Sequence, residues 1–143
     1  MSSPILTIVR GLPGSGKSYH ARDLAAHFGV MLIEPDALLV CGGEYIYTPE
    51  RYKLACKRSM NLVKNLLETG TDVVYADVLP RLDDVGFILW NIREFSDGMP
   101  DVQVVDMPLL TVEESMARNR HAVRRKDIER MAKEWEPWEG GKA

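Results

Sequence analysis

Short apolar runs alternate along the chain with longer stretches in which apolar residues recur at helical spacing. The runs predict buried strands at residues 5–9, 30–33, 72–77 and 102–107. The helical spacing predicts helices over residues 17–28, 37–40, 49–70, 82–95 and 126–135, with one more that begins at Thr111. Strands that alternate with helices form βαβ units. We therefore expect an α/β fold with three layers, in which helices cover both faces of a parallel sheet of four to five strands.

Residues at the predicted helix ends have the side chains that such ends require. Gly29 follows the first helix, where a residue in the left-handed conformation commonly ends a helix. Thr48 and Pro49 occupy the N-terminal cap and the first position of the longest helix. Thr111 and Glu114 form a capping box before the helix that follows the fourth strand. Local chemistry therefore supports the bounds of three helices.

The chain has the size of one domain, with 143 residues of which 45% are apolar and 27% are charged. We expect a single domain over residues 1–136 and a flexible tail at residues 137–143. The 18 basic residues are outnumbered by 21 acidic ones, which gives a net charge of −3. Proteins that bind nucleic acid through bulk charge are usually strongly basic, so any site for a polyanion must be local.

The cysteines and the apolar stretches exclude several other classes of protein. Cys41 and Cys56 lack the CxxC or Cys/His spacing of a zinc site, and we expect them to be two reduced thiols. The first ten residues lack the basic and apolar regions of a secretion signal, and no stretch approaches the ~18 apolar residues of a membrane span. These features predict a cytoplasmic protein that does not enter a membrane.

A glycine-rich segment, GLPGSGKS, lies between the first predicted strand and the first predicted helix. It matches the pattern G-x-x-x-x-G-K-[ST], in which backbone N–H groups and the start of a helix hold the phosphates of a nucleotide. We expect Lys17 to reach the β- and γ-phosphates and the Ser18 hydroxyl to bind Mg²⁺. The predicted ATP site consists of Gly11, Leu12, Pro13, Gly14, Ser15, Gly16, Lys17 and Ser18.

Two acidic residues follow predicted strands, at the sheet edge where open α/β proteins bind their ligands. Asp36 comes just after the second strand, and Asp77 ends the third. Transfer of a phosphoryl group to an alcohol needs one carboxylate that accepts the hydroxyl proton and often another near Mg²⁺. We expect Asp36 to be the general base and Asp77 to lie on the Mg²⁺ side. The roles could be exchanged, and each acid could instead only cap a following helix.

Basic residues are concentrated in the segment ARNRHAVRRKDIERM, although the protein as a whole is acidic. Such an uneven distribution of charge suggests a role for this segment. An arginine aimed at the transferred phosphoryl group stabilises the charge that develops there. Arg118 and Arg120 are the candidates for this catalytic role, and Arg124 is a further candidate for contact with the nucleotide. The alternative is a solvated helix face paired with nearby acids, which is the interpretation we favour for Lys126 and Arg130.

A second basic cluster lies on the longest predicted helix, close to several tyrosines. It could line a groove for a phosphate-bearing acceptor while the tyrosines stack on bases, and a plain solvated face is equally consistent with the pattern. The cluster and the tyrosines are Arg51, Lys53, Lys57, Arg58, Lys64, Tyr45, Tyr47 and Tyr52. We expect His121 to form structural hydrogen bonds, and Trp90, Trp135 and Trp138 to be anchors of the core or the tail.

Three places in the sequence resemble the P-loop polynucleotide-kinase-like family, which includes the kinase domain of phage polynucleotide 5′-kinase. They are RGLPGSGKS, the acid Asp36 after the second strand, and the segment RNRHAV from Arg118, which is similar to the lid of these proteins. The resemblance implies a P-loop NTPase/kinase fold and phosphorylation of a hydroxyl with ATP and Mg²⁺. In the best-known members this is the 5′ hydroxyl of DNA or RNA. The resemblance also implies that Asp36 is the general base, that Lys17 and Ser18 contact phosphate and magnesium, and that Arg118 belongs to the lid.

Three functions are consistent with these features. The first is a kinase whose partners are ATP and a nucleic acid, phosphorylated at a 5′ end or on a modified base within DNA. The second is a kinase for a nucleoside, nucleotide or sugar. It is favoured by the acidic composition and by Leu38 and Leu39, which stand where the family often has an acceptor-side arginine. The third is a nucleotide-binding module that does not catalyse.

Overall fold

The computed structural model describes residues 3–93 and 100–139. In chain order the elements of this part are β1 Ile5–Arg10, α1 Lys17–Phe28, β2 Met31–Ile33, a 3₁₀ helix Pro35–Leu39, β3 Val40–Cys41, β4 Glu44–Tyr45, α2 Pro49–Glu68, β5 Val73–Asp77, α3 Leu82–Asn91, β6 Asp101–Asp106, α4 Val112–Arg118 and α5 Arg125–Glu134. The four predicted strands and the five longer predicted helices are all present. The helix predicted at residues 82–95 corresponds to α3, and its last two predicted residues lie outside the described residues.

The main sheet contains four strands of the described part, in the order β2, β5, β1, β6, and all are parallel. β1 lies between β5 and β6, and its last residue, Arg10, is in register with both Asp77 and Asp106. The carboxyl ends of three strands therefore meet at one edge of the sheet. This arrangement confirms the predicted α/β fold with a parallel sheet.

The two faces of the sheet form two core layers. Side chains alternate between the faces of a strand, so Leu6 and Ile8 of β1 pack on the side of α2 and α3, whereas Val9 packs on the side of α1. Val63 of α2 and Ala21 of α1 are fully buried in these layers. Helices therefore cover both faces, as the alternation of strands and helices predicts.

The segment between β2 and α2 differs from its prediction. The helical stretch expected at residues 37–40 is the 3₁₀ helix Pro35–Leu39, and the loop expected after it contains an antiparallel hairpin of β3 and β4. Gly42 and Gly43 form the turn with φ values of 59° and 85°, and two-residue hairpin turns commonly need such left-handed residues. The hairpin places Tyr45 beside the segment that carries the candidate base.

The predicted helix caps are confirmed. Gly29 ends α1 with a φ of 64°. The Thr48 hydroxyl accepts a hydrogen bond from the Arg51 N–H at 3.1 Å at the start of α2. At the start of α4, the Thr111 and Glu114 side chains each accept from the other residue's backbone N–H. These local bonds satisfy N–H groups that the first helical turn leaves without partners.

Arg10 is fully buried at the end of β1 and joins three segments of the chain. Its guanidinium donates to the Asp106 carboxylate at 3.0 Å and to the Leu79 carbonyl at 2.7 and 3.0 Å. It also donates to the Glu136 carbonyl at 2.9 Å and lies 4.5 Å from the centre of the Trp135 ring. The C-terminal segment is therefore attached to the sheet directly beneath the glycine-rich loop.

The packed structure continues into the segment predicted as a tail. The Trp138 N–H donates to Asp106 Oδ2 at 2.8 Å, and the indole packs against the core layer of α2 and α3. Trp138 is thus an anchor, as predicted, whereas the prediction of an anchor at Trp90 is wrong because that side chain is 62% exposed. The flexibility of the tail stays a prediction. Residues 140–143 of that predicted tail lie outside the described residues. In the described part, every helix is too short or too polar to cross a membrane.

Candidate active site

A cleft of ≈ 2070 Å³ lies at the carboxyl edge of the sheet. Its walls are the glycine-rich loop, the acids after β2 and β5, the N-terminal half of α2, and the segment between α4 and α5. Of the residues predicted for the site, those that line the cleft are Pro13, Gly14, Ser15, Gly16, Lys17, Ser18, Asp36, Asp77, Arg118, Arg120 and Arg124. Gly11 and Leu12 are buried behind the loop and do not line it. The fold thus brings together residues that are far apart in the sequence.

The glycine-rich loop has the features of a phosphate site. Gly14 and Gly16 adopt φ values of 78° and 87°, which other residues rarely accept. Gly16 leads into α1 without a side-chain cap, and the first turn of α1 has no acidic residue. Lys17 is 8% exposed, and the buried Ser15 hydroxyl has no hydrogen-bond partner in the described part. Uncapped N–H groups, a helix N-terminus and a lysine fit the phosphates of a nucleotide.

Helix α4 holds the glycine-rich loop from behind. The Ser115 hydroxyl is buried and donates to the Pro13 carbonyl at 2.5 Å. A Cβ at Gly14 would lie 2.7 Å from the Arg118 Cβ, so the loop and the end of α4 are in direct contact. This contact requires glycine at residue 14 and places Arg118 next to the loop.

Asp77 is buried at the end of β5, and both of its carboxylate oxygens accept hydrogen bonds. The Tyr52 hydroxyl donates to Oδ2 at 2.6 Å, and the Val78 N–H donates to Oδ1 at 2.8 Å. Burial raises the pKa of Asp77 from 3.8 to about 6, with the charge on Asp36 also raising it and Lys17 lowering it. Asp77 therefore lies within electrostatic range of both Lys17 and Asp36, in a position that suits the phosphate side of the cleft.

Asp36 lies in the 3₁₀ helix and is partly exposed to the cleft. The Tyr45 hydroxyl donates to its Oδ1 at 3.0 Å, whereas Oδ2 has no hydrogen-bond partner in the described part. Burial, together with the negative charge of Asp36, raises the pKa of Tyr45 above its ordinary value, so this hydroxyl keeps its proton and remains a donor. Of the two predicted acids, Asp36 is thus the one with an oxygen available to a substrate hydroxyl.

Glu34 is a site residue that the sequence did not predict. It follows β2 directly, and the Ser18 hydroxyl donates to its Oε2 at 2.5 Å. Glu34 follows a predicted strand and stands two residues before Asp36, and this position could have identified it from the sequence. No group of three or more His, Cys, Asp or Glu side chains in the described part could hold a metal ion by itself. Mg²⁺ is usually held by one or two protein oxygens together with substrate phosphates, and Ser18 beside Glu34 fits that pattern.

The arginines between α4 and α5 fall into two groups. Arg124 and Arg125 are paired with acids, Arg124 with Asp127 at 3.0 Å and Arg125 with Glu113. By contrast, Arg118 and Arg120 have no carboxylate within 4.0 Å among residues 3–93 and 100–139, and both line the cleft. Arg130 pairs with Asp127 and Glu134, as expected for a solvated helix face.

The segment from Asn119 to Arg124, which we call the lid loop, is held by its own hydrogen bonds. The Asn119 side chain donates to the Val123 carbonyl at 2.7 Å and accepts from the His121 N–H at 3.2 Å. Ala122 has a φ of 52°, which is uncommon for a residue with a Cβ. The His121 ring stacks on the Tyr45 ring, with centres 4.1 Å apart and planes 21° apart. The lid loop therefore has a defined shape and touches the far wall of the cleft.

The second basic cluster is divided by the fold. Lys53 and Lys57 line the cleft. Arg51 instead donates to the carbonyls of Ile46 and Leu39 at 3.0 and 3.5 Å, which gives it a structural role. Arg58 lines a small separate pocket, and Lys64 lines neither. Only part of this cluster can contact a substrate in the cleft.

Two of the predicted tyrosines donate hydrogen bonds to the candidate acids. The Tyr45 hydroxyl donates to Asp36, and the Tyr52 hydroxyl donates to Asp77. Tyr47 is 56% exposed and lines the cleft, so it remains available for stacking. Cys56 also lines the cleft, and burial raises the pKa of its thiol to about 11. Both cysteines are free, in agreement with the expectation of two thiols.

No family model and no curated protein matches the sequence. Solved structures do match it. A chain in the structure of the Pnkp1/Rnl/Hen1 RNA repair complex has a TM-score of 0.75 and 21% identity, over 94% of this chain and 44% of that one. In a second structure of that complex the TM-score is 0.68 at 24% identity, over 84% and 40%. This chain therefore spans less than half the length of those chains.

Two single-enzyme structures are similar as well. A gluconokinase from Sinorhizobium meliloti 1021 has a TM-score of 0.61 and 18% identity, over 98% of this chain and 79% of that chain. The APS kinase CysC of Mycobacterium tuberculosis has a TM-score of 0.55 and 15% identity, over 93% and 99%. The fold is that of the small P-loop kinases. A gluconokinase and an APS kinase both have this fold, so the fold by itself names no substrate for this chain.

Proposed function

We propose that this chain is a kinase that uses ATP and Mg²⁺ to phosphorylate a hydroxyl of a nucleic acid. The observation that carries the proposal is the arrangement around one cleft: the glycine-rich loop, Asp36 with an unpartnered oxygen, and Arg118 and Arg120, which have no carboxylate within 4.0 Å among the described residues. Phosphoryl transfer depends on holding the donor, the acceptor and groups that stabilise developing charge around one point.

The donor half of the cleft has the groups that a nucleoside triphosphate needs. Backbone N–H groups of the loop and of the first turn of α1 would bind the phosphates, with Lys17 beside them. Bound Mg²⁺ would offset charge on the β- and γ-phosphate oxygens, with Ser18, Glu34 and Asp77 as the nearby protein oxygens. Asp77 fits this side because both of its oxygens already have hydrogen-bond donors.

The acceptor half provides the base. The acceptor hydroxyl donates its proton to Asp36 as its oxygen forms a bond to the γ-phosphorus, and the bond from that phosphorus to the β–γ bridging oxygen breaks, which leaves ADP. Arg118 and Arg120 stabilise the charge on the transferred group, while Arg124 is engaged by Asp127.

The lining of the cleft supports a nucleic acid as acceptor. The volume of ≈ 2070 Å³ includes the space beside the glycine-rich loop, so the cleft has room for an acceptor next to ATP. Lys53 and Lys57 lie on the acceptor wall with the exposed rings of Tyr47 and Phe87. Cations that pair with phosphates and rings that stack on bases are the means by which proteins hold single strands.

The test is transfer of label from γ-labelled ATP to oligonucleotides that carry a 5′ hydroxyl. The wild-type protein should label them, and D36N should lose at least about a hundredfold in rate while still binding ATP. D23N is the matched control, since Asp23 lies on an exposed part of α1 outside the cleft. Absence of labelled product at every pH from about 6 to 9 would contradict the proposal.

A small-molecule kinase is the second candidate. It is favoured by Glu50 and Asp84, whose negative charges line the same cleft and would repel a polyanion. It is also favoured by the gluconokinase likeness, which extends over 79% of that chain. A panel of nucleosides, nucleotides and sugars with ADP release as readout tests this candidate. Turnover of one metabolite without oligonucleotide labelling would replace the first candidate by the second.

A further inference from the structure

One continuous set of contacts connects the lid loop with the candidate base across the cleft. The His121 ring stacks on the Tyr45 ring at 4.1 Å, and the Tyr45 hydroxyl donates to Asp36 at 3.0 Å. Tyr45 belongs to the short hairpin of β3 and β4, whereas His121 belongs to the lid loop that also carries Arg120. The two residues are 76 positions apart in sequence, so the fold alone brings them together.

The two ends of this contact are held in different ways. The lid loop keeps its shape through the Asn119 hydrogen bonds, and it follows Arg118, the last residue of α4, which packs on Gly14 of the phosphate loop. The hairpin is short, and its own ladder consists only of the pairs Val40 with Tyr45 and Cys41 with Glu44. A two-stranded hairpin of this length has little stability by itself. Arg51 also ties the hairpin to α2 through the carbonyls of Ile46 and Leu39. The His121 ring adds a stacking contact on the Tyr45 side chain itself.

We propose that Tyr45 is a positioning residue for Asp36, and that His121 holds Tyr45 in that position when the lid loop lies across the cleft. The Tyr45 hydroxyl occupies Asp36 Oδ1, which leaves Oδ2 for the acceptor hydroxyl. Withdrawal of the lid loop removes the stacking partner of Tyr45, and the carboxylate loses its orientation. The base is thus oriented only when Arg120 of the lid loop is also in place, which limits transfer to the closed cleft. This inference rests on the proposed kinase function.

Three single variants test the Tyr45 hydroxyl and the His121 ring stack separately. Y45F keeps the ring stack and loses the hydroxyl, so kcat should fall roughly tenfold while the KM for ATP stays unchanged. H121A loses the stack and should also lower kcat roughly tenfold. H121F restores a stacking ring and should recover most of that loss. H27A is the control, because His27 lies at the end of α1 outside the cleft.

The double variant decides whether both residues act through the same hydroxyl. Y45F/H121A should be no slower than the slower single variant, because the stack has no further effect once the hydroxyl is gone. Equal losses in H121F and H121A, multiplication of the two single effects in the double variant, or a Y45F enzyme with wild-type kcat would each overturn the inference.

The contact itself can be measured without any acceptor. In the wild-type protein, NMR signals of the His121 ring protons should be shifted upfield by the stacked Tyr45 ring. They should move downfield in Y45L, whose dispersed spectrum would show that it is folded. A wild-type protein inactive on every acceptor would refute the proposed function. Ring signals that are identical in wild type and Y45L would refute the connection between the lid loop and the base, whether or not the protein is a kinase.

Discussion

At the scale of single residues, Asp77 is a carboxylate whose charged form is disfavoured by burial in the folded protein. Its pKa in the folded state, about 6, lies above the ordinary 3.8 because the carboxylate is buried. The folded protein therefore binds this proton more tightly than the unfolded chain does. The stabilisation that protonation gives is fully present below about pH 4 and is lost as the pH rises through about 6.

The direction of this pH dependence gives a prediction for a variant of Asp77. D77N cannot ionise and should be more stable than the wild type at neutral pH, by up to about 3 kcal/mol, with the difference vanishing near pH 4. Thermal unfolding of both proteins from about pH 4 to 8 measures it. D23N, at an exposed acid of α1, should follow the wild type throughout. A difference between D77N and wild type that does not change with pH would contradict the assignment.

Glu34 gives a second prediction at this scale. Its carboxylate accepts a hydrogen bond from the Ser18 hydroxyl at 2.5 Å, at the place where Mg²⁺ is proposed to bind. E34Q keeps the shape and removes the charge, so binding of ATP with Mg²⁺ should weaken roughly tenfold while binding of ATP alone changes little. Calorimetric titration with and without Mg²⁺ distinguishes the two. E50Q, at an exposed acid that lines the cleft, is the control. An equal loss of ATP affinity with and without Mg²⁺ would show that Glu34 does not act through the metal ion.

At the scale of elements, α4 supports the phosphate loop through Ser115. S115A leaves the buried Pro13 carbonyl without its donor, which should lower the free energy of unfolding by about 1–3 kcal/mol and weaken ATP binding. The matched variant is S59A, because the Ser59 hydroxyl is equally buried but has no hydrogen-bond partner in the described part. S59A should leave ATP affinity unchanged. Urea unfolding and ATP titration of both variants check the prediction, and weaker ATP binding in S59A than in S115A would contradict it.

The sequence predicts elements well where periodicity or cap chemistry is strong, and poorly where contacts are between distant segments. The strands, the longer helices and the caps at Thr48 and Thr111 follow from local pattern. The hairpin of β3 and β4 has two residues per strand, which is too few for an alternating pattern. The bond between Tyr45 and Asp36 depends on that hairpin, so the pattern along the chain does not reveal it.

At the scale of the whole molecule, charge is arranged locally rather than in bulk. The net charge of −3 describes the surface as a whole. Arg118, Arg120, Lys53 and Lys57 nevertheless converge on one cleft, while other arginines of the same segments are neutralised by acids or bond to carbonyls. An acidic protein can in this way present a basic wall to a phosphate-bearing ligand, because the potential in a cleft is set by the charges that line it.

Arg10 connects the sheet, the loop after β5 and the C-terminal segment, so its loss should affect the whole molecule. R10M leaves the Asp106 carboxylate and the carbonyls of Leu79 and Glu136 without their buried donor. Loss of one partner from a buried ion pair costs about 3–5 kcal/mol. We expect the free energy of unfolding of R10M to fall by that amount. Urea unfolding followed by tryptophan fluorescence measures it, because the Trp135 ring also loses its contact with the guanidinium. R58M, which replaces an exposed arginine of α2, should stay within about 0.5 kcal/mol of the wild type. An R10M protein as stable as R58M would show that the C-terminal segment is held by its tryptophans and not by Arg10.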